Sequence, residues 1–365
     1  MPDLKTSPLH ERHVALGAKF AEFSGWSMPL QYSSIVAEHN AVRAAVGLFD
    51  VSHLGKARVT GPGAREFVNA CFTNDLGRIG PGQAQYTLCC DDGGGVVDDL
   101  IAYLVNDEDV FLIPNAANTA EVVRLLAAQA PEGITVANEH DDYAVLAVQG
   151  PNADEVLEAL GVAADFDYMQ FRSGTLQGRP LTVCRTGYTG ERGYELVCGV
   201  ADAPAVWDAV VAAGEPLGLL PCGLGARDTL RTEMGYALHG HELSATITPV
   251  MAGLNWAVGW DKPAFWGADA LRAERAAGPA RRSRAIKSAG RAIPRPGMEC
   301  VDADGAVVGT VTSGTFSPTL KVGIGLALLD PAYTPGTQVG VRIRQRVEPF
   351  SVEKPPLVQP QVRQA

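Results

Sequence analysis

Two adjacent carboxylates, Asp98 and Asp99, stand inside a run of strand-forming residues, V-V-D-D-L-I-A-Y from Val96 to Tyr103. Strands are depleted in Asp. Successive strand residues point to opposite faces, so one of the two can face solvent while the other faces inward. An inward carboxylate needs hydrogen-bond donors or a task, because burying it unpaired is costly. An edge-strand acid satisfied by backbone amides is the bland alternative. A third acid, Glu195, lies in R-T-G-Y-T-G-E-R-G-Y-E-L, Arg185 to Leu196, in a strand beside Tyr194 and Val197. A carboxylate held there can accept two parallel N–H donors. A pterin edge presents such donors, and so does an Arg from a nearby helix. Glu191 falls in the polar turn of the same motif and is expected to be solvated. In G-L-G-A-R-D-T-L-R-T-E-M-G-Y, Gly223 to Tyr236, Arg227 and Arg231 share a helix face and can hold a carboxylate or phosphate. Asp228 can pair with Arg231 at i, i+3, and one of the two arginines is expected to belong to such a solvated, locally paired face.

Other chemistry is disfavoured. His239-Gly240-His241 lacks a clear third ligand nearby, so no metal site is expected. No G-x-S-x-G surrounds a serine, which leaves Ser52-His53 without a hydrolase context. Gly93-Gly94-Gly95 precedes a strand rather than a helix and is no phosphate loop. The seven cysteines are odd in number and form no C-x-x-C, as expected of reduced thiols filling cores. Adjacent Cys89 and Cys90 should point to opposite faces, with only one in a core. A net charge of −11 argues against nucleic-acid or anionic-membrane binding. No apolar run approaches the roughly 20 residues of a membrane span, and Met1 to Lys5 lacks a secretory core, so a cytoplasmic protein is expected.

The elements that must position these acids can be read in order. A chain of 365 residues, 46% hydrophobic and 19% charged, suggests two or three globular domains. Leu9 to Tyr32 starts helix-like and turns into an extended aromatic stretch broken by Gly25 and Pro29. Val36 to Val46 reads as a helix closed by Gly47. From Leu48 to Val148 the order is strand, helix (Ala64 to Phe72), hairpin, strand (Val110 to Pro114), helix, strand, which suits a split βαβ sandwich. The hairpin joins Tyr86–Cys90 to Val96–Tyr103 through Asp91-Asp92-Gly93-Gly94-Gly95. Helices follow from Pro151, Pro204 and Gly225. Gly278 to Pro296, with Arg281, Arg282, Arg284, Lys287, Arg291 and Arg295, reads as a solvated basic linker that could attract an acidic partner. Short strands with Gly/Pro turns close the chain as an antiparallel barrel or sandwich.

The whole chain resembles the aminomethyltransferases of the glycine cleavage system, the T-proteins. The resemblance rests on several motifs in order: L-G-A-K-F-A-E-F-S-G-W-S-M-P-L-Q-Y (Leu16 to Tyr32), E-H-N-A-V-R (Glu38 to Arg43), L-F-D-V-S-H-L-G (Leu48 to Gly55), G-Q-A-Q-Y-T-L (Gly82 to Leu88), G-G-V-V-D-D-L-I (Gly94 to Ile101), the Arg185 and Gly223 motifs above, and S-G-T-F-S-P-T-L-K-V-G-I-G (Ser313 to Gly325). It implies an α+β, three-domain folate-binding T-protein fold with a ferredoxin-like insert and a C-terminal antiparallel β-barrel. The implied domains are a discontinuous folate-binding one (1–52 and 148–276), the insert carrying the catalytic Asp (53–147) and the barrel (280–365). It also implies a reaction. The lipoylated H-protein presents an aminomethyl group, tetrahydrofolate takes the one-carbon unit as co-substrate, and ammonia leaves with 5,10-methylene-tetrahydrofolate formed.

The site residues follow from the same resemblance. Asp99 is similar to the family's essential aspartate, placed near the reactive nitrogens of the folate to stabilise positive charge; Asp98 is the second choice. Glu195 resembles the pterin-edge acceptor and Arg227 the folate-site arginine. Tyr86, Tyr188 and Tyr236 resemble ring-wall and hydrogen-bonding positions, and Asn115 a channel-lining one. Core packing for the tyrosines and a helix cap for Asn115 are the plainer roles. Arg363 could reach the folate's glutamate tail. Leu54 replaces a Met common in relatives, a volume-conserving change. Ser33-Ser34-Ile35 lacks a Gly many relatives have, Arg192 stands where an acid is common, and Pro356 to Ala365 matches the family least. A folate-dependent demethylase of the same fold and a folate-binding module without turnover are the alternatives. The K-G-C-Y-x-G-Q motif of the fold's iron–sulfur assembly factors is absent.

Overall fold

The computed structural model describes residues 4–363; the first three residues, part of the N-terminal segment read above for a secretory core, and the last two of the expected barrel domain lie outside the described residues. The chain opens with β1 (Lys5–Thr6), α1 (His10–Ala15) and a hairpin of β2 (Lys19–Phe23) and β3 (Trp26–Gln31). Ser34 starts α2 (Ile35–Ala44) by accepting from the Ala37 amide at 3.1 Å. The helix stops before Gly47, which lies in β4 (Val46–Asp50) instead of capping. A Cβ on Gly47 would meet the Val42 side chain at 2.4 Å and Cys222 Sγ at 2.8 Å, so the glycine lets the strand run close beneath α2.

The second region comprises β5 (Ala57–Thr60), α3 (Ala64–Cys71), β6 (Gln83–Cys90), β7 (Val96–Asn106), β8 (Asp109–Ile113), α4 (Thr119–Gln129) and β9 (Thr135–Asn138). Its strands lie in the order β6-β7-β8-β5-β9. Without β6 this is a βαββαβ unit ordered β9-β5-β8-β7 with antiparallel pairs, which is the ferredoxin-like arrangement. β7 is paired on both sides from Ile101 onward, but at Asp98 and Asp99 only with β6, so the two acids stand at a local edge that Asn115 covers. α3 and α4 cover one face with Val68, Cys71, Val122 and Leu126.

The third stretch runs β10 (Tyr143–Gln149), α5 (Ala153–Ala159), β11 (Phe171–Leu176), β12 (Arg179–Cys184), β13 (Gly193–Gly199), α6 (Ala203–Gly214), β14 (Leu219–Cys222) and α7 (Leu224–Met234). With β4 these strands form a six-stranded sheet, β11-β12-β13-β10-β4-β14. The strand before the insert and the strand after it are neighbours, Leu146 facing Asp50 and Gln149 facing Gly47. The chain thus leaves and returns at one place. One face of the sheet packs Leu157, Trp207 and Val210 of α5 and α6. The other packs Phe49, Val51, Ala147 and Val197 against Tyr103, Phe111 and Ile113 of the five-stranded sheet. Two sheets therefore share a core, and the acids sit beside that seam.

A long connection then crosses the outer face of β6 and β7 before α8 (Ala268–Ala277). Leu243, Val250, Val258, Phe265 and Leu271 pack on Leu88, Cys90 and Val96. This cover corrects the expectation for the adjacent cysteines: Cys89 is buried under the helices and Cys90 under the connection, because both faces are closed. All seven thiols are free and buried. The final unit is a closed antiparallel barrel, β15 (Arg282–Ser288), β16 (Glu299–Val301), β17 (Val307–Ser317), β18 (Val322–Leu329), β19 (Gln338–Ile343) and β20 (Arg346–Glu353), ordered β15-β18-β17-β16-β19-β20. The basic stretch expected as a linker contains β15; its arginines mask Ala285 and Ile286, which are fully buried. The tail returns to α7, with the Leu357 amide donating to Glu233 O at 2.7 Å and the Gln361 amide to Gly190 O at 2.7 Å.

Candidate active site

β7 presents Asp98 and Asp99 at the level where β8 has ended: Ile101 is the last β7 residue paired there, opposite Ile113. Continuing the register sets Asn115 across from Asp99, and its amide takes over the ladder's work. Asn115 Nδ2 donates to Asp99 O at 2.9 Å, Asp99 Oδ1 at 2.8 Å and Asp98 Oδ1 at 2.9 Å. Asp98 is fully buried. Its Oδ2 accepts the Asn115 backbone N–H at 3.0 Å, and its Oδ1 also accepts Asn118 Nδ2 at 2.7 Å. Asn118 is the N-cap residue of α4, where the helix dipole favours an anion. Asp99 is half-buried and accepts the Tyr86 hydroxyl at 2.9 Å. Burial raises both carboxyls; repulsion from Asp99 adds to it for Asp98, while Tyr86, His239 and Asn115 oppose it for Asp99. Burial and Asp99 push the Tyr86 phenol well up, so it stays a donor. Its ring stacks on Trp256, centroids 5.3 Å apart at 28°, and Trp256 is 62% exposed.

Glu195 lies on β13 opposite Cys184 of β12, buried, with Oε2 accepting Thr186 Oγ1 at 2.5 Å. Thr186 Oγ1 is 3.2 Å from the Tyr103 hydroxyl, which ties Glu195 to the seam between the sheets. Arg227 occupies the first turn of α7, its guanidinium 4.7 Å above the Tyr188 ring. Arg227 Nη1 is buried with no hydrogen-bond partner among the described residues. Burial pulls the Arg227 guanidinium down, while Glu195 and Tyr188 hold it up. Tyr188 leans on Tyr236 at 5.6 Å and donates to the Ala237 carbonyl. The Tyr188 phenol is raised, first by burial, and it feels both Asp99 and Arg227, so it stands between the two groups. Tyr188 and Arg227 also line a cavity of about 600 Å³ with His53, His241 and Phe316, between α7, β2 and β17. Asp99, Tyr86, Asn115, Glu195 and Tyr236 do not line it.

Other residues end up elsewhere than the sequence suggested. Glu191 is buried and paired with Arg43 at 2.8 Å, not solvated. Arg231 does pair with Asp228 at 2.7 Å, but on no solvated face: it is buried and also bonds Glu242 at 3.0 Å. His239 contacts the Val96 carbonyl and His241 the Thr312 carbonyl, so the two imidazoles serve different neighbours. Arg363 sits 5.7 Å over the Tyr168 ring. Asn118 and Trp256 had not been singled out. The cap chemistry of an Asn just before a helix was a signal for the first; nothing in the sequence pattern marked the second.

Two family models cover the chain, the GCVT N-terminal domain over residues 9–262 and the glycine cleavage T-protein C-terminal barrel domain over residues 281–359. An aminomethyltransferase of Parafrankia sp. (strain EAN1pec) is 64% identical over 360 residues, 98% of this chain and 99% of its own. One from Mycobacterium tuberculosis (strain ATCC 25618 / H37Rv) is 58% identical over 98% of both chains. The crystal structure of glycine cleavage system aminomethyltransferase T from Bartonella henselae matches with a TM-score of 0.92 at 33% identity, covering 98% of this chain and 99% of that one.

Proposed function

The chain belongs to the glycine cleavage T-protein family of aminomethyltransferases, and from that premise we propose that the residues around Asp99 and Arg227 hold tetrahydrofolate for transfer from the lipoylated H-protein. The residues present suit that ligand. A buried Arg227 Nη1 without a partner and a Glu195 carboxylate with only Oε2 occupied ask for a molecule bearing both an acceptor and an N–H edge. Tetrahydrofolate carries both, with flat rings between them. In this reading Glu195 grips the pterin edge, Tyr86, Tyr188 and Tyr236 wall the rings, Arg227 faces a polar acceptor, and Asn115 lines the channel. When bound, tetrahydrofolate supplies the nucleophilic nitrogen that accepts the one-carbon unit, giving 5,10-methylene-tetrahydrofolate.

The chain's own part is positioning and charge. Asp99 has no ion-pair partner among the described residues, so its carboxylate is free to face positive charge that develops beside it. That is the observation that carries the reading. Tyr86 and Asn115 fix both of its oxygens, and partial burial strengthens the interaction. Arg363, on the tail beside Tyr168, is placed in this reading near the folate's glutamate end. The domains in this reading are 1–52 with 148–276, 53–147, and 280–365. The seven unpaired thiols suit the cytoplasm. The test is ammonia release from the aminomethylated lipoyl protein with and without tetrahydrofolate. Release stimulated by tetrahydrofolate is expected; folate binding without release would leave only a binding module, and turnover of an N-methylated amine instead would mark a demethylase.

A further inference from the structure

Asp98 is the buried acid to which the reading above gives no task. It does not line the cavity beside Arg227, yet it is the residue next to Asp99 and shares Asn115 Nδ2 with it. We propose that Asp98 is a positioning residue, a fixed anion clamped by Asn115 and Asn118 at the start of α4, and that its charge sets the ionisation of Asp99. The inference rests on Asp99 having the role given above.

The donor inventory carries it. Both Asp98 oxygens accept N–H groups only: the Asn115 backbone amide, Asn115 Nδ2 and Asn118 Nδ2. A proton on Asp98 would aim an O–H at a donor, and no acceptor stands there among the described residues. The opening turn of α4, an eleven-residue helix, adds its dipole. Asp99 is surrounded differently. Tyr86 faces it from β6, Tyr188 from the loop after β12 and His239 from the connection after α7. The Cys89 thiol on β6, with Glu121 of α4 beyond it, lies on the Asp98 side. None forms an ion pair with either acid, so the charge on Asp98 is not neutralised and acts on Asp99 at short range in a dry medium. Asn115 Nδ2 has two hydrogens for three acceptors, so its bond to Asp99 is the one Asp98 weakens. Burial raises both acids, and repulsion from Asp99 raises Asp98 further, to about 8, so the two titrate as a pair; the geometry at Asp98, where donors meet both oxygens, assigns the shared proton to Asp99.

The test is the pH–rate profile of ammonia release by full-length Asp98→Asn with saturating tetrahydrofolate and lipoyl partner. Removing the neighbouring charge is expected to move the carboxyl ionisation in the profile to lower pH by about one unit or more. Asn118→Ala lets Asp98 take the proton first and should move the same ionisation down by less, and it decides the matter if Asp98→Asn does not fold. Loss of activity equal at every pH, with no displacement of the ionisation in the variants that fold, overturns the proposal and leaves Asp98 a structural acid. Asp99→Asn separates the two levels. If that variant turns over normally, the role of Asp99 falls; if it is inactive while the profiles of the other two stay put, only the present inference falls.

Discussion

Two groups of buried carboxylate in this molecule are surrounded in opposite ways. Glu233, on α7, meets charge and hydroxyls on every side. Its Oε2 accepts Arg43 Nη2 at 2.8 Å and Thr319 Oγ1 at 3.0 Å, and its Oε1 accepts Ser317 Oγ at 2.5 Å with His39 Nε2 at 3.4 Å. Burial alone would raise it, but His39, Ser317 and Arg43 overcome that and hold it down at about 2. Asp98 and Asp99 are hydrogen-bonded by amides and a phenol, with His239 acting on Asp99 from further off, and both are raised. Glu233 latches α2, α7 and β17 with no capacity left over. The aspartates have no ion-pair partner among the described residues, which is costly for folding and useful for stabilising a cation.

Breaking the latch should give the largest effect on stability. Glu233→Ala leaves buried Arg43 with Glu191 as its one carboxylate and His39 with threonine hydroxyls only, and removing one partner of such a buried pair costs about 3–5 kcal/mol. Urea unfolding should show it; a loss below about 1 kcal/mol would mean the latch is not what joins α7 to the barrel. Asp99→Asn should do the reverse, sparing stability and lowering turnover by roughly 10²–10³-fold, about 3–4 kcal/mol of transition-state stabilisation. Stopped-time ammonia release checks the rate and a melting curve the fold. Turnover like the parent's would take Asp99 out of the reaction.

The contrast also separates what the sequence showed from what it hid. The hairpin around Asp98 and Asp99, the helices and the barrel were legible because period-2 and period-3.6 patterns and Gly turns are local signals. The partners of Glu191 and Glu233 were not. Arg43 lies far away in sequence from both, and only the stacking of α2 on α7 brings it to them. Polar residues in a turn or on a helix read as solvated when their partners are non-local, which is why Glu191 and Arg231 were misplaced. β15 was missed for a related reason: arginines along a strand hide its two apolar residues. Within the candidate site the residue types could be read, but the sharing of Asn115 between two acids could not, since it needs β8 to end two residues before Asp99's level.

A smaller effect is expected at Glu195. Glu195→Ala removes the charged acceptor for an N–H edge, worth about 1.5–3 kcal/mol of ligand affinity. Calorimetric titration with tetrahydrofolate checks it, and an unchanged dissociation constant would remove Glu195 from the binding surface. That variant also tests whether Thr186 and Tyr103 hold their places by themselves, since Thr186 leans on that carboxylate and Tyr103 on Thr186.

The pH dependence is the most discriminating measurement, because the two kinds of acid should tilt stability in opposite directions. Glu233 holds a value of about 2 in the folded chain, below its ordinary 4.5. Its contribution is complete above the ordinary value and is lost as pH falls from 4.5 through about 2. Glu233→Gln should therefore lag the parent at neutral pH, and the gap should close over that acid window. Asp99 is raised, so the folded chain favours its protonated form. Its contribution is present at low pH and is lost as pH rises through the raised value, and Asp99→Asn should gain on the parent in that direction. Each unit of displacement is worth only about 1.4 kcal/mol, so difference curves from unfolding at a series of pH values are needed. Parallel curves for the two variants would mean that the surroundings of the two acids do not differ in the way their neighbours suggest.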